Sequence, residues 1–189
     1  ISGKGSAGRV PMMIHFWAHP HVFGEQETLA RKLLDKDPVD AAIVPFNMPQ
    51  IFDAAEDDPE YRWVNFDDPF KGRKVGIDEK IAIEDWEQLD GVLKGFPSSE
   101  YRRLFEDTPD EDGRYRLGTW WFCLFERHWS LRGMTNALVD FYEDPEKVHK
   151  LYRALTDFYI RIMERGKQEQ NLDGVFDQAS KQIDQLEYS

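Results

Sequence analysis

Three histidines stand close together near the N-terminus, His15, His19 and His21. Side chains two or four positions apart fall on one side of an extended segment. A zinc site built from imidazoles needs all the rings near one point. His15 and His19 on an extended strand are about 13 Å apart, so only a bend at Pro20 would bring them to one ion. The alternative is polar lining of a ligand mouth, and His19 and His21 are expected there, with no metal held by this chain. Arg132, in Leu131-Arg132-Gly133, has a guanidinium suited to a carboxylate or a phosphate. Its alternative role is a structural ion pair that ties down a loop. Glu126 either faces the same mouth or complements the positive end of a helix. Trp17, Phe46, Trp120, Trp121 and Phe122 would line a pocket for a flat apolar ligand, unless they are ordinary packing. Cys123 is the single cysteine. It sits in an aromatic run expected to be strand, as a small buried hydrophobe, and it forms no internal disulfide. A reducing, cytoplasmic setting follows from that usage.

The elements that position these groups show in the pattern of apolar residues. Residues 10–19 form a short apolar run between Gly and Pro, which reads as a buried strand. Residues 25–34 carry Leu29, Leu33 and Leu34 at helical spacing, closed by Asp37-Pro38. Residues 41–46 are near-continuously apolar, as in a parallel strand covered on both faces. Together they make a βαβ unit. A hairpin is expected where 61–66 and 74–78 flank an Asp-Pro-Phe-Lys-Gly-Arg turn. A helix follows over 83–93, with Trp86, Leu89 and Leu93 on one side. The acidic stretch 97–113 reads as a solvated loop. Residues 115–124 are a third apolar run, and 134–142 are helical. Asp144 then reads as an N-cap with Pro145 in the first helical position. The stripe Val148, Leu151, Tyr152, Leu155, Phe158, Tyr159, Ile162 and Met163 marks an amphipathic helix to about Arg165. Residues 171–176 begin the next strand.

Strands that alternate with helices imply an α/β fold with a parallel sheet. The net charge of −12 argues against nucleic acid and anionic membranes as partners. No apolar run reaches membrane-spanning length.

Specific segments sharpen the reading. Arg9-Val-Pro-Met-Met-Ile14, Phe125-Glu-Arg-His-Trp-Ser-Leu-Arg-Gly-Met134, Val139-Asp-Phe-Tyr-Glu-Asp-Pro-Glu-Lys-Val148 and Leu172-Asp-Gly-Val-Phe176 resemble segments of the uroporphyrinogen decarboxylase superfamily. The resemblance implies a partial (β/α)8 TIM barrel, roughly its first four βα units with a hairpin excursion. It assigns 1–8 to a flexible lead-in, 9–176 to the N-terminal half of the barrel, and leaves the tail 177–189 unplaced. The family contains cofactor-independent decarboxylases of porphyrin biosynthesis. It also contains zinc-dependent methyltransferases that serve corrinoid proteins or thiols. The decarboxylases carry a catalytic Asp after the second strand, where this chain has Asn47, and an Arg-rich loop after the first, where it has Ala18-His-Pro-His-Val-Phe-Gly24. The methyltransferases take their zinc from a His-x-Cys pair and a further Cys in the second half of the barrel. The resemblance therefore implies a methyltransferase-like domain that is incomplete and inactive alone. Zinc would be possible in a complete barrel, none would be bound by this chain, and the catalytic residues are unassigned. The substrate-lining set would be Trp17, His19, His21, Asn47, Trp121, Glu126 and Arg132, facing a small molecule or a tetrapyrrole or corrinoid ligand. The alternatives are a porphyrinogen decarboxylase (a lyase) and a non-catalytic ligand-binding relative. A homodimer or a missing C-terminal half would complete the core.

Overall fold

A computed structural model describes residues 20–36, 40–76, 79–106, 108 and 113–176. The expected first strand over 10–19, the lead-in 1–8 and the tail 177–189 lie outside them.

Helix α1 (Glu27–Lys36) follows a 3-10 segment (Pro20–Gln26), and its Leu29 and Leu33 are exposed. Strand β1 (Ala41–Pro45) leads to a small hairpin of β2 (Ala54–Ala55) and β3 (Asp58–Arg62). Next come a 3-10 turn (Trp86–Gln88) and helix α2 (Leu89–Lys94). Strand β4 (Tyr115–Thr119) is followed by α3 (Leu124–Arg132), α4 (Met134–Glu143), α5 (Pro145–Glu169) and strand β5 (Gly174–Phe176).

The main sheet is parallel, in the order β1-β4-β5. Ala41 pairs with Tyr115 through to Pro45 with Thr119. Leu117 pairs with Gly174 through to Thr119 with Phe176. The chain is thus a mixed α/β fold. Its described residues form three parallel strands, not a closed barrel.

Alternation along the strands decides the two faces. Val44, Phe46 and Trp120 are buried, and with Leu151, Leu155, Phe158 and Ile162 of α5 they belong to one core. The stripe read from the sequence is therefore the buried face of α5, and each fully buried Leu contributes roughly 1.5–3 kcal/mol. Gly118 and Gly166 make room for this contact. A Cβ on Gly118 would stand 2.7 Å from both Leu172 Cδ1 and Phe46 Cε1, and one on Gly166 would stand 2.5 Å from Leu172 Cδ1. On the opposite face Ile43, Pro45, Leu117 and Thr119 are only partly buried, and Tyr115 is 42% exposed.

Local chemistry explains the boundaries. Asp85 Oδ1 accepts from Glu87 N, and Gln88 Oε1 accepts from the N–H groups of Glu84 and Asp85. This capping box starts the short helical pair. Gly133, at φ 77°, both ends α3 and precedes α4. Asp144 occupies the N-cap of α5 with Pro145 behind it, but its side chain makes no capping bond. The backbone carbonyl of Asp144 takes the N–H groups of Lys147 and Val148 instead.

Several expectations need correction. Among the described residues the hairpin is β2–β3, with Glu56 and Asp57 in its tight turn, and 61–66 do not pair with 74–76; 77 and 78 lie outside them. The helix expected over 83–93 begins only at Trp86, in two pieces. The acidic 97–113 stretch is not wholly solvated. Tyr101 and Leu104 are buried, and Asn47 N donates to Leu104 O while Glu106 N donates to Pro45 O. Strand β4 stops at Thr119, so Cys123 is the residue that precedes α3 rather than part of a strand, and it is partly exposed. Helix α3 begins at Leu124 with Glu126 in its first turn, the helix-end place that is one of the two roles expected of Glu126. Helix α5 runs past Arg165 to Glu169.

Candidate functional site

Two cavities border the chain that leaves the C-terminal end of β1, at the edge where parallel α/β sheets place their ligands, and one of them also reaches the turn after β4. The chain leaving β1 supplies one side, and the turn from β4 into α3 supplies the other. The larger of these two holds about 410 Å3. Ile51, Phe52 and Asp53 line it from β1, Asp68 and Lys80 from the connecting segment, and Phe122, Trp129 and Ser130 from the α3 side. Lys80 Nζ lies 3.1 Å from Asp68 Oδ2. Burial pushes the Asp68 carboxyl up, but the Phe70 N–H and Lys80 outweigh it and hold the group below its usual range.

The second cavity, about 340 Å3, is lined by Asn47, Asp57, Tyr61, Tyr101 and Arg103 among others. Tyr61 and Tyr101 stack at 3.9 Å. Tyr101 donates to Asp57 Oδ1 at 2.6 Å, and that bond is the largest cause holding the Asp57 carboxyl low. Asn47 lies in this cavity, but its Nδ2 donates to Arg103 O at 2.7 Å and its backbone carbonyl accepts from Tyr61 Oη at 2.9 Å.

Behind Phe122 lies Arg127, only 1% exposed. Its guanidinium carbon is 3.9 Å from the Trp63 ring centroid and 5.2 Å from that of Phe122. Its Nε and Nη1 have no hydrogen-bond partner. Burial pulls its pKa down, against Tyr159, Tyr61 and Cys123, which push it up. Nothing in the composition or spacing of Phe125-Glu-Arg-His-Trp marks this residue, because its isolation is created by residues distant in sequence.

Arg132 lies at the other end of α3 and makes the ion pair that was one of its two expected roles. Its Nε and Nη2 donate to the two oxygens of Asp140 at 2.9 and 2.8 Å, and Nη1 donates to Ile83 O and Glu84 O at 2.8 Å each. The same carboxylate accepts from Trp86 Nε1 at 3.1 Å and meets His128 Nε2 at 3.2 Å. His128 Nδ1 is 3.4 Å from Tyr152 Oη. Burial, ahead of Asp140's opposing pull, holds His128 below the ordinary imidazole value. This network locks α3 and α4 to the 83–86 segment. Glu126 sits in the first turn of α3 with Oε2 buried and unbonded. Burial comes first among the causes that raise the Tyr152 phenol, and Glu126 adds to it.

The expected lining residues therefore do not converge. Asn47 belongs to the second cavity, Arg132 to the helix network, and Glu126 to the neighbourhood of Tyr152. Trp121 is 52% exposed on the bend after β4. Phe122 lines the larger cavity, whereas Phe46 and Trp120 pack in the core. Trp17 and His19 lie outside the described residues, and of His21 only the backbone is described, in the 3-10 segment. Among the described residues no three His, Cys, Asp or Glu side chains cluster to hold a metal. No described helix is long and apolar enough to cross a membrane. No family model matches the chain, and neither does any curated protein or solved structure.

Proposed function

We propose that this chain is the substrate-lining half of a barrel of the uroporphyrinogen decarboxylase type, on its methyltransferase-like branch, with its chemistry completed by further strands. The observation that carries the reading is the cavity of about 410 Å3 at the C-terminal ends of β1 and β4. The partly buried face of the sheet opposite α5 supports it, since that face would line the interior of a barrel. Ligand sites run from roughly 300 to 1,000 Å3, so this cavity suits a small methyl donor or acceptor rather than a fully substituted tetrapyrrole. Asn47 favours the same branch. A decarboxylase needs a carboxylate near the pyrrole nitrogens; the resemblance puts the neutral amide of Asn47 at that place, and its Nδ2 donates to Arg103 O.

The test combines binding and turnover. Methoxybenzene, a small methyl-bearing aromatic, is expected to bind the purified chain in a calorimetric titration. Ser130→Phe, which fills the cavity, is expected to weaken it at least tenfold without loss of helical circular dichroism. The chain alone is expected to turn over neither uroporphyrinogen nor methylcob(III)alamin with a thiol and zinc. Absence of any binding, or uroporphyrinogen turnover that survives Asn47→Ala, would overturn the proposal.

A further inference from the structure

Arg116, Arg127 and Arg132 are the buried arginines of the described residues. Two of them are anchored through their N–H groups. Arg116 donates to Gln170 O and Thr108 O, and Arg132 donates to Asp140 and two carbonyls. Arg127 differs: a hydrogen bond ties it to Tyr159, but Nε and Nη1 are buried and unbonded. The side chains that act on it most strongly are Tyr159, Tyr61 and Cys123, none of them a carboxylate. Glu126, its neighbour in sequence, acts on Tyr152 instead.

A buried charge with no carboxylate partner and two open donor nitrogens is costly, and the Tyr159 bond and stacking on Trp63 offset only part of that cost. Buried donors left open in this way point to a group that completes them. The place of Arg127 says what that group is. Phe122 is the shared wall, lining the larger cavity on one side and standing 5.2 Å from the guanidinium on the other. Ser130, also in the cavity wall, donates its hydroxyl to Arg127 O at 2.9 Å, so the two lie one helical turn apart. Arg127 itself does not line the cavity, and rotation of the Phe122 ring would join the guanidinium to it.

We propose that Arg127 is the anion-recognising group of this mouth, and that the cavity takes a small, flat molecule bearing a carboxylate. The proposal rests on the reading of the cavity as a ligand site and names its substrate class. A guanidinium grips a carboxylate in its own plane through paired N–H groups. Aromatic walls leave a flat slot beside that plane. A tetrahedral phosphate would press its out-of-plane oxygens on ring faces that carry negative charge, so the slot selects the planar acid.

The experiment is calorimetric titration of the purified chain with benzoate, methyl benzoate and inorganic phosphate, with the melting temperature measured alongside. Benzoate is expected to bind and raise the melting temperature, with methyl benzoate and phosphate each at least tenfold weaker. Arg127→Met and Arg127→Lys are expected to lose benzoate binding at least tenfold. Arg127→Met should also melt no lower than the wild type without ligand, because it removes an unpaired buried charge. Lys80→Met, which removes the cation in the cavity wall, should weaken benzoate binding less than Arg127→Met does. The proposal is overturned if Lys80→Met rather than Arg127→Met abolishes binding, if phosphate binds more tightly than benzoate, or if Arg127→Met does not fold. Methyl benzoate binding as tightly as benzoate overturns it as well and leaves the cavity reading intact. Failure of benzoate, methyl benzoate and methoxybenzene alike removes both.

Discussion

Asp140→Ala tests whether the helix layer is held by its buried carboxylate. The carboxylate accepts two N–H groups of Arg132 and the indole N–H of Trp86, and it meets His128. Its removal leaves Arg132 buried with two carbonyl partners but no counter-charge. Deleting one member of a buried pair costs about 3–5 kcal/mol, and orphaning the indole N–H adds about 1–3 kcal/mol before relaxation. These contributions overlap, so the expected loss is about 4 kcal/mol. Urea unfolding followed by far-ultraviolet circular dichroism measures it, with an unchanged denaturant slope as the sign that the fold is the same. The double variant Arg132→Met with Asp140→Leu removes both charges and is expected to recover much of the loss, with a coupling of at least about 1.5 kcal/mol. A loss below about 1 kcal/mol for Asp140→Ala, or a double variant as unstable as the sum of the singles, would refute the reasoning.

Leu155, fully buried on α5, is expected to cost about 2–5 kcal/mol on substitution by Ala; a loss under about 0.5 kcal/mol in chemical denaturation would mean the stripe is not packed. Stability should also fall on the acid side in two steps. His128 has its folded pKa below the ordinary 6.5, so its contribution is complete above that value and declines as the pH drops beneath it. For Asp140 burial pushes the carboxyl up, but Arg132 outweighs it and holds it below 3.8, so its contribution is lost only as the pH falls through that lower range. Urea midpoints between pH 8 and 4 measure the first step, and His128→Gln is expected to remove it. The partly buried sheet face with Tyr115 exposed predicts self-association through that face, and a well-behaved monomer in sedimentation equilibrium at micromolar concentration would count against it.

The parts of the fold legible from sequence are those where local pattern and tertiary burial agree. Residues 145–165 carry an unbroken helical stripe behind Asp-Pro, and 41–46 are apolar without interruption, so each could settle in only one environment. The hairpin was misplaced because its real strands are unpromising. β2 has two residues, and β3 carries Pro59, whereas the Asp-Pro-Phe-Lys-Gly-Arg turn downstream looked stronger. Tyr101 and Leu104 were hidden in an acidic setting, and what buries them is the end of β1, far away in the chain. Helix α3 defeats pattern reading more thoroughly. It buries Arg127, His128 and Arg132, so its inward face looks polar and its apolar period is lost. For the same reason the candidate site was seen only at its edge, through Phe122.

The close approach of β4 to α5 joins four positions into one evolutionary unit. The ring of Phe46 and the side chain of Leu172 fill the space left by Gly118 and Gly166. A methyl group at either glycine would displace Phe46, whose neighbour Asn47 opens the second cavity. Among relatives of this chain, a larger residue at 118 or 166 should therefore appear together with a smaller one at 46 or 172. Such compensating exchange would also alter the shape of the mouth, so drift in the packing between strand and helix offers a path by which ligand preference changes without any substitution in the cavity wall.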